Sequence, residues 1–369
     1  MARVRSIELR LVGLPLVRPF RTSFGTETEK VCILARVETD DAEGWGECVA
    51  GIDPGYSEEF NAEAWLTMGE FLGPALLDAG EVGLDEIEAV FEPFRGHPMA
   101  KATLVDAVVD AELRAMGISM ASYLGAERSR VECGVSIGIT SSTPELLDQV
   151  ASYLEQGYRR IKLKIEPGLD VERVEAVRVA HPDIALSVDA NAAYRPADIE
   201  TFRRLDASDL VMVEQPLRFD DLLDHAELQR GIRTDICLDE SIRSAAHAAA
   251  GLDLGACRII NIKQGRVGGV LEARRIHDLA RARGVPVWCG GMLETGIGRA
   301  LNLALAAMPG FTLPGDTSAS RRYFDEDITS AFEMGADGTM EVPDDPGIGV
   351  SPLPERLESC TIRTEVVRR

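Results

Sequence analysis

The sequence has no C-x-x-C pair, and its seven cysteines are an odd number. This usage predicts buried free thiols in a reducing compartment and argues against a disulfide framework. The segment from Met1 to Pro19 alternates polar and apolar residues and lacks the apolar core of a signal peptide. No apolar run is long enough to cross a bilayer. We therefore expect a cytoplasmic protein without a membrane-spanning segment.

Positive charge is also scarce, because 39 Lys and Arg face 61 Asp and Glu, a formal net charge of −22. Nucleic acids and anionic membranes are bound through clustered basic residues, so both are disfavoured as partners. An acidic substrate is not excluded, because a local metal ion and lysines can outweigh the average field. The partner that we predict is a small-molecule carboxylate bound at such a local site.

The hydrophobic pattern divides the chain into two domains. Residues 1–128 begin with strand-like alternation and continue with helical periodicity, which predicts an α+β capping domain. Residues 129–339 alternate short apolar runs with amphipathic segments. The tail, residues 340–369, is rich in Pro, Gly and Asp and is predicted to pack back on the capping domain. The strand-like segments of the first domain are Ser6–Val12, Val31–Glu38 and Glu43–Cys48.

Eight apolar runs in the second domain predict a closed (β/α)8 barrel. A doubly wound open sheet is the alternative, but it usually has a Gly-rich phosphate turn after its first strand, which Gly134–Gly138 does not supply. The runs are Cys133–Ile139, Arg160–Ile165, Ala185–Asp189, Leu210–Glu214, Ile236–Asp239, Ile259–Lys263, Val285–Cys289 and Phe311–Leu313.

Five consecutive runs end in a charged residue, which an ordinary core strand would avoid. These residues are Lys164, Asp189, Glu214, Asp239 and Lys263, and they follow one another at intervals of 24 or 25 residues. One β/α unit of a barrel takes roughly 30 residues. The spacing therefore predicts one charge on each strand, all at the C-terminal face where barrel active sites are built.

Asp189, Glu214 and Asp239 would repel one another unless they were protonated or bound a cation. None of the five histidines ends a run, so the predicted ligands are all oxygens. Such a set prefers a hard divalent ion, Mg²⁺ first and Mn²⁺ second. Three protein ligands leave open positions for substrate oxygens and water.

The two lysines lie on the second and sixth runs, which are opposite each other in a barrel of eight. A substrate at the metal would have Lys164 on one face and Lys263 on the other. Lys162 points to the same side of its strand as Lys164. Its charge either lowers the pKa of Lys164 or balances the metal site. Removal of an α-proton beside a metal-bound carboxylate gives β-elimination with one base and racemisation with two.

These residues resemble the enolase superfamily, which pairs Lys bases with Mg²⁺. The motif Lys162-Leu163-Lys164 is similar to the K-x-K motif of its muconate-lactonising branch. Within that branch the chain is most similar to the o-succinylbenzoate synthase / N-succinylamino acid racemase family, over nearly its whole length. The segments that carry this similarity are Arg160–Gly168, Val287–Gly296 and Leu313–Ser320.

The resemblance implies a modified TIM barrel with an N-terminal capping domain. It also implies Mg²⁺-dependent syn-dehydration of 2-succinyl-6-hydroxy-2,4-cyclohexadiene-1-carboxylate in menaquinone biosynthesis, through an enediolate. Racemisation of N-succinylamino acids is implied as well. Lys164 is implied as the base, and Lys263 as the group that stabilises the enediolate or acts as the opposite base. The implied substrate contacts are Ser136, Lys162, Asn191, Gly291, Met292 and Leu293, and the implied specificity residues are Phe20, Phe24 and Arg266.

Alternatives remain at this level. A dipeptide epimerase or cycloisomerase of the same branch would share the chemistry, but epimerases usually carry Asp-x-Asp where this chain has Gly315-Asp316-Thr317-Ser318. Arg266 could pair with a surface acid such as Glu272, and Asn191 could cap a helix. A non-catalytic barrel is disfavoured, because five converging charges would be unfavourable without a metal. Dehydration and racemisation use the same five residues, so both activities are predicted. We expect a homo-oligomer.

Overall fold

The computed structural model describes residues 2–368. Its strands are β1 (Ala2–Arg21), β2 (Thr26–Thr39), β3 (Glu43–Cys48), β4 (Glu81–Val82), β5 (Arg130–Glu132), β6 (Gly134–Ile137), β7 (Arg160–Lys164), β8 (Ala185–Asp189), β9 (Val213–Glu214), β10 (Ile236–Leu238), β11 (Ile259–Ile262), β12 (Val287–Cys289), β13 (Thr339–Glu341) and β14 (Thr361–Val367).

The α-helices alternate with the later strands as the sequence predicts. They are α1 (Asn61–Thr67), α2 (Gly73–Asp78), α3 (Pro98–Met116), α4 (Met120–Leu124), α5 (Thr143–Glu155), α6 (Val171–Ala180), α7 (Ile199–Leu205), α8 (Leu223–Gly231), α9 (Ala245–Leu254), α10 (Gln264–Val267), α11 (Val270–Ala282), α12 (Gly296–Ala306) and α13 (Pro354–Cys360). A π-helical turn, Met68–Leu72, joins α1 to α2, and a short 3₁₀ segment, Ile87–Phe91, precedes α3.

The first sheet is antiparallel, with the order β14-β1-β2-β3, and α3 packs on it at close range. A Cβ atom on Gly44 would lie 2.1 Å from the carbonyl oxygen of Ala107, and one on Gly46 would lie 2.0 Å from that of Thr103. Only glycine fits at both positions, because the helix backbone occupies the space of a side chain.

Seven parallel strands form the second sheet, in the sequential order β6 to β12. The predicted eighth strand over 311–313 is not a regular strand. Its segment makes isolated bridges, Phe311 to Val287 and Gly315 to Cys133, which link β12 back to the start of β6. The predicted barrel is thus confirmed as a modified one, whose eighth element contributes single bridges because Pro314 and Gly315 interrupt it.

The C-terminal segment returns to the first sheet. β14 pairs antiparallel with β1 from Ile7–Val367 to Val12–Thr361, and β13 pairs with β5. The domain limits at residues 128 and 340 remain our interpretation of the chain. Among the described residues, no helix combines the length and the apolar character that crossing a membrane requires.

Candidate active site

Strand register brings the five predicted charges together. Lys164 on β7 lies beside Asp189 on β8, and Asp189 lies beside Glu214 on β9. Glu214 in turn pairs with Cys237 on β10, two residues before Asp239. All five residues therefore meet at the C-terminal ends of consecutive parallel strands, the face where barrel active sites are built.

The lysines and carboxylates form direct ion pairs. Lys164 Nζ lies 2.6 Å from Asp189 Oδ2, and Lys263 Nζ lies 2.8 Å from Asp239 Oδ2. Glu214 Oε1 accepts a hydrogen bond of 2.7 Å from Asn261 Nδ2. The three carboxylates are at most 1% exposed, so their negative charges are held away from bulk water.

Electrostatics show why this set fits a cation. Burial, with the nearby Asp189, raises the pKa of Glu214 to about 7. Burial alone would also raise the pKa of Asp189, but Lys164 and Lys162 hold it below its usual range. Asp239 Oδ1 accepts no hydrogen bond among the described residues, and Arg266 Nη2 is a charged neighbour of this oxygen at 3.1 Å. Three converging, buried carboxylates are an all-oxygen donor set that suits a hard divalent ion such as Mg²⁺.

Lys162 lies below this group and contacts several acids at once. Its Nζ is 2.7 Å from both Glu214 Oε2 and Asp316 Oδ2, and 3.3 Å from Asp189 Oδ2. Burial alone would lower the pKa of Lys162, but these carboxylates outweigh it and raise the pKa. The contacts fit the charge-balancing interpretation of Lys162; its effect on Lys164 stays a prediction.

A cavity of about 80 Å³ lies over the lysines. Ser136 Oγ, which is buried, has no hydrogen-bond partner among the described residues and faces this space. The structure brings most of the predicted contact residues into its wall, whereas their roles toward a substrate remain predictions. The predicted residues in the wall are Phe20, Phe24, Ser136, Lys162, Lys164, Asn191, Lys263, Gly291, Met292 and Leu293.

Loops of the capping domain close the cavity. Arg21 Nη2 lies 2.7 Å from Glu166 Oε1 on the barrel, and Ser23 Oγ donates a hydrogen bond of 3.2 Å to the carbonyl oxygen of Ala190. In the second loop, Gly51 and Tyr56 face the cavity. The capping domain thus supplies one wall of the site.

Arg266 is not in this wall. It is buried, its Nη2 lies 3.1 Å from Asp239 Oδ1, and it donates hydrogen bonds to the carbonyl oxygens of Asn261 and Ile242. The interpretation that it pairs with Glu272 on the surface is wrong, because Glu272 binds the Ala245 N–H and Arg275. The role of Arg266 in specificity stays a prediction.

Three residues that contact the charged group, Tyr56, Asp316 and Asn261, were not among the site residues predicted from the sequence. Tyr56 donates a hydrogen bond of 3.1 Å to Asp239 Oδ2 and accepts one from Lys263 Nζ, also at 3.1 Å. Asp316 pairs with Arg160 at 2.7 Å as well as with Lys162. Asn261 had a usable signal, since it is two residues before Lys263 and therefore shares its side of the strand. Tyr56 had none, because a loop of another domain carries it.

Backbone strain gathers at the same ends of the strands. Asn191, Gln215 and Leu293 have φ angles of 42°, 35° and 56°, in the left-handed region that non-glycine residues seldom adopt. Asn191 Oδ1 accepts a hydrogen bond of 2.6 Å from Lys164, and its Nδ2 donates one of 2.9 Å to Glu240. Asn191 therefore holds Lys164 and does not cap a helix, which is the kind of position where strain accompanies function.

A second group of possible metal ligands, Glu59, Glu63 and His97, lies apart from this site. It borders a separate cavity of about 650 Å³ between the capping domain and the barrel. Glu59 accepts hydrogen bonds from the Met99 and Ala100 N–H groups at 2.8 and 3.1 Å. It therefore serves as the cap of α3, and the group differs from the predicted ligand set.

Comparison with known proteins agrees with this geometry. The profile of the enolase C-terminal domain-like family matches residues 145–356. The chain is 53% identical over 360 residues to an N-succinylamino acid racemase of an Amycolatopsis species, covering 97% of this chain and 98% of that protein. It is 48% identical over 359 residues to an o-succinylbenzoate synthase of Geobacillus kaustophilus, covering 97% and 96%.

A crystal structure extends the agreement to the whole fold. An enolase-superfamily member from Listeria innocua superposes with a TM-score of 0.96 at 41% identity, over 100% of this chain and 99% of that one. Superfamily members of this kind use a lysine or histidine base with Mg²⁺. The chain belongs to the enolase superfamily and, within it, to the o-succinylbenzoate synthase / N-succinylamino acid racemase family.

Proposed function

We propose that this protein is an o-succinylbenzoate synthase of menaquinone biosynthesis that also racemises N-succinylamino acids, with Mg²⁺ as its cofactor. One observation carries the proposal. Lys164 and Lys263, on the second and sixth strands of the barrel, flank three buried carboxylates and border one cavity. The names of the two curated relatives described above support both activities.

Asp189, Glu214 and Asp239 would hold the metal. A bound divalent cation stabilises the negative charge that builds on a substrate carboxylate when its α-proton leaves. The carboxylates that now pair with Lys164 and Lys263 would then bind the cation, which frees both side-chain nitrogens to face the substrate. The lysine that acts as base must then be a neutral amine, and the opposite lysine an ammonium group. Asn191, held by Glu240, would keep Lys164 aimed at the α-carbon.

The two reactions use the lysines differently. In dehydration, Lys164 removes the α-proton and then assists the departure of hydroxide on the same face, while Lys263 stabilises negative charge from the other side. In racemisation, one lysine removes the α-proton and the opposite lysine returns a proton to the other face. Tyr56 hydrogen bonds to Lys263 and would orient its ammonium group.

Asp316 argues against a dipeptide epimerase. Such an enzyme needs a free carboxylate for the substrate ammonium group, but both oxygens of Asp316 are engaged, by Arg160 and Lys162 at 2.7 Å each. A buried acid that already balances two cations has no capacity for a third. The acyl-amino acid substrates of a racemase carry no free ammonium group and fit this wall better.

The compartment we propose is the cytoplasm. All seven cysteines are buried and free, an arrangement that suits a reducing environment.

The test is an assay of both reactions with purified protein and Mg²⁺. We expect dehydration of the cyclohexadiene carboxylate and α-proton exchange of N-succinylamino acids in deuterated water. Lys164→Ala and Lys263→Ala should each abolish dehydration while calorimetry still detects Mg²⁺ binding, and Asp189→Asn should lose that binding. Near-wild-type dehydration in either lysine variant would refute the proposal, as would exchange confined to dipeptides.

A further inference from the structure

The cavity holds more lysine than its proposed chemistry needs. Lysine accounts for only five of the 39 basic residues of the chain, yet four of the five line this one cavity: Lys30, Lys162, Lys164 and Lys263. Two of them are assigned above to proton transfer, and Lys162 balances the carboxylates. Lys30 has no part in that scheme, although a chain that otherwise relies on arginine places a lysine there.

The ammonium group of Lys30 is buried and incompletely paired. The residue lies on β2 with 4% of its surface exposed. Its Nζ donates one hydrogen bond, of 2.9 Å, to the carbonyl oxygen of Met292. Among the described residues, no carboxylate oxygen lies within the 4.0 Å of an ion pair to it. An ammonium has three N–H donors, so two are left for a ligand.

Lys30 keeps its charge in this position. Burial alone would lower its pKa, but Cys32, Glu47 and more distant acids outweigh burial and raise it. Glu47 is not a free partner, because its oxygens accept hydrogen bonds from the Thr295 and Gly298 N–H groups at 3.0 and 2.9 Å. A buried charge without a direct counter-ion is unfavourable, and an anionic ligand would correct that.

We propose that Lys30 binds the second carboxylate of the substrate, the one at the far end of the succinyl group. This subsite rests on the proposed function, whose substrates carry two carboxylates. The first belongs with the divalent cation, so the second needs a cation of its own. Lys164 and Lys263 are assigned above to proton transfer at the α-carbon, and Lys162 Nζ already lies 2.7 Å from both Glu214 and Asp316, which leaves Lys30. The substrate class is therefore an acyl chain that ends in a carboxylate.

The experiment compares two substrates that differ only in the distal group. N-succinyl-L-phenylalanine carries the carboxylate, and N-succinamoyl-L-phenylalanine carries a neutral amide of the same shape. We measure α-proton exchange in deuterated water with the Mg²⁺-loaded enzyme. Wild-type kcat/KM should favour the succinyl compound about 10- to 100-fold, because hydrogen bonds to charged groups contribute on that scale.

The variants separate binding from a structural role. Lys30→Met should reduce the preference to about threefold or less, mainly through a higher KM for the succinyl compound, and Lys30→Arg should restore most of it. Lys101→Met is the matched control, since Lys101 is the one lysine outside the cavity; it donates to the carbonyl oxygen of Phe94. That variant should keep the wild-type preference.

The outcomes that overturn the subsite are distinct from failure of the proposed function. Equal kcat/KM for both substrates in the wild type overturns the subsite alone and needs no variant to fold. Equal losses for both substrates in Lys30→Met would make Lys30 a support for Met292 and also overturn it. If Lys30→Met does not fold, Lys30→Gln takes its place. A wild type that exchanges neither compound overturns the racemase part of the proposed function, and the subsite with it.

Discussion

Replacing Asp316 with asparagine removes the negative charge that joins Arg160 to Lys162. Each cation lies 2.7 Å from an oxygen of Asp316, and all three side chains are at most 6% exposed. Removing one partner of a buried ion pair typically destabilises a protein by about 3–5 kcal/mol. We expect a loss of about 3 kcal/mol in the free energy of unfolding. It lies at the lower end of the range because Lys162 retains its ion pair with Glu214, and Arg160 retains its hydrogen bond to the carbonyl oxygen of Pro314.

Urea unfolding provides the assay. The fluorescence of Trp288 reports on the surroundings of Asp316, because the Arg160 guanidinium carbon and Lys162 Nζ both lie 4.6 Å from the centroid of the Trp288 ring. With an m-value near the upper end of its usual range, about 3 kcal/mol/M, the loss would lower the unfolding midpoint by about 1 M without changing m. Asp40→Asn is the matched control, since Asp40 also pairs with an arginine, Arg5, but on the surface. It should leave the midpoint where it is. If both variants behave alike, the buried network does not stabilise the barrel as argued.

Three further predictions follow from other parts of the structure. Asp106→Asn should raise the unfolding midpoint more at pH 9 than at pH 5. Burial raises the pKa of Asp106 from 3.8 to about 8, so the wild type loses stability as the pH rises through that window. Equal effects at both pH values would contradict this. Removing divalent ions with a chelator should abolish turnover. Restoring Mg²⁺ at about 100 times its Kd should raise the unfolding free energy by about 2.7 kcal/mol, which is measured as a higher melting temperature. An unchanged melting temperature would argue against Asp189, Glu214 and Asp239 as the metal ligands. Arg21→Ala should raise KM by no more than about fivefold with kcat retained, because its ion pair with Glu166 is partly exposed. Glu166→Gln should have the same effect in steady-state kinetics. A loss of kcat in either variant would contradict the view that this pair only closes the cavity.

The catalytic centre was predictable because strand periodicity and register are local properties. A charged residue at the end of an apolar run must lie at the C-terminal end of its strand. The step of 24 or 25 residues then places Asp189 on the strand next to that of Glu214, without any knowledge of the fold. The same logic reaches Asn261, whose spacing from Lys263 puts both on one side of β11. The regular alternation also predicted the barrel, except for its irregular eighth element.

The rest of the site depends on contacts between distant segments. Tyr56 reaches Asp239 across 183 positions of sequence, and Lys30 reaches Met292 across 262. No periodicity in a loop or in β2 signals such a meeting, because the approach is set by how the capping domain docks. The sequence shows that Asp316 lacks the second Asp of the Asp-x-Asp pair of epimerases. Its contacts with Arg160 and Lys162 could not be predicted, because they form only once the barrel closes.

The most direct measurement is α-deuterium incorporation into each enantiomer of an N-succinylamino acid by the two single-lysine variants. If Lys164 and Lys263 act from opposite faces, Lys164→Ala should lose exchange of one enantiomer and retain that of the other, and Lys263→Ala should show the reverse. A variant that loses both enantiomers, or spares both, while it still binds Mg²⁺ would contradict a two-base site built on opposite sides of this barrel.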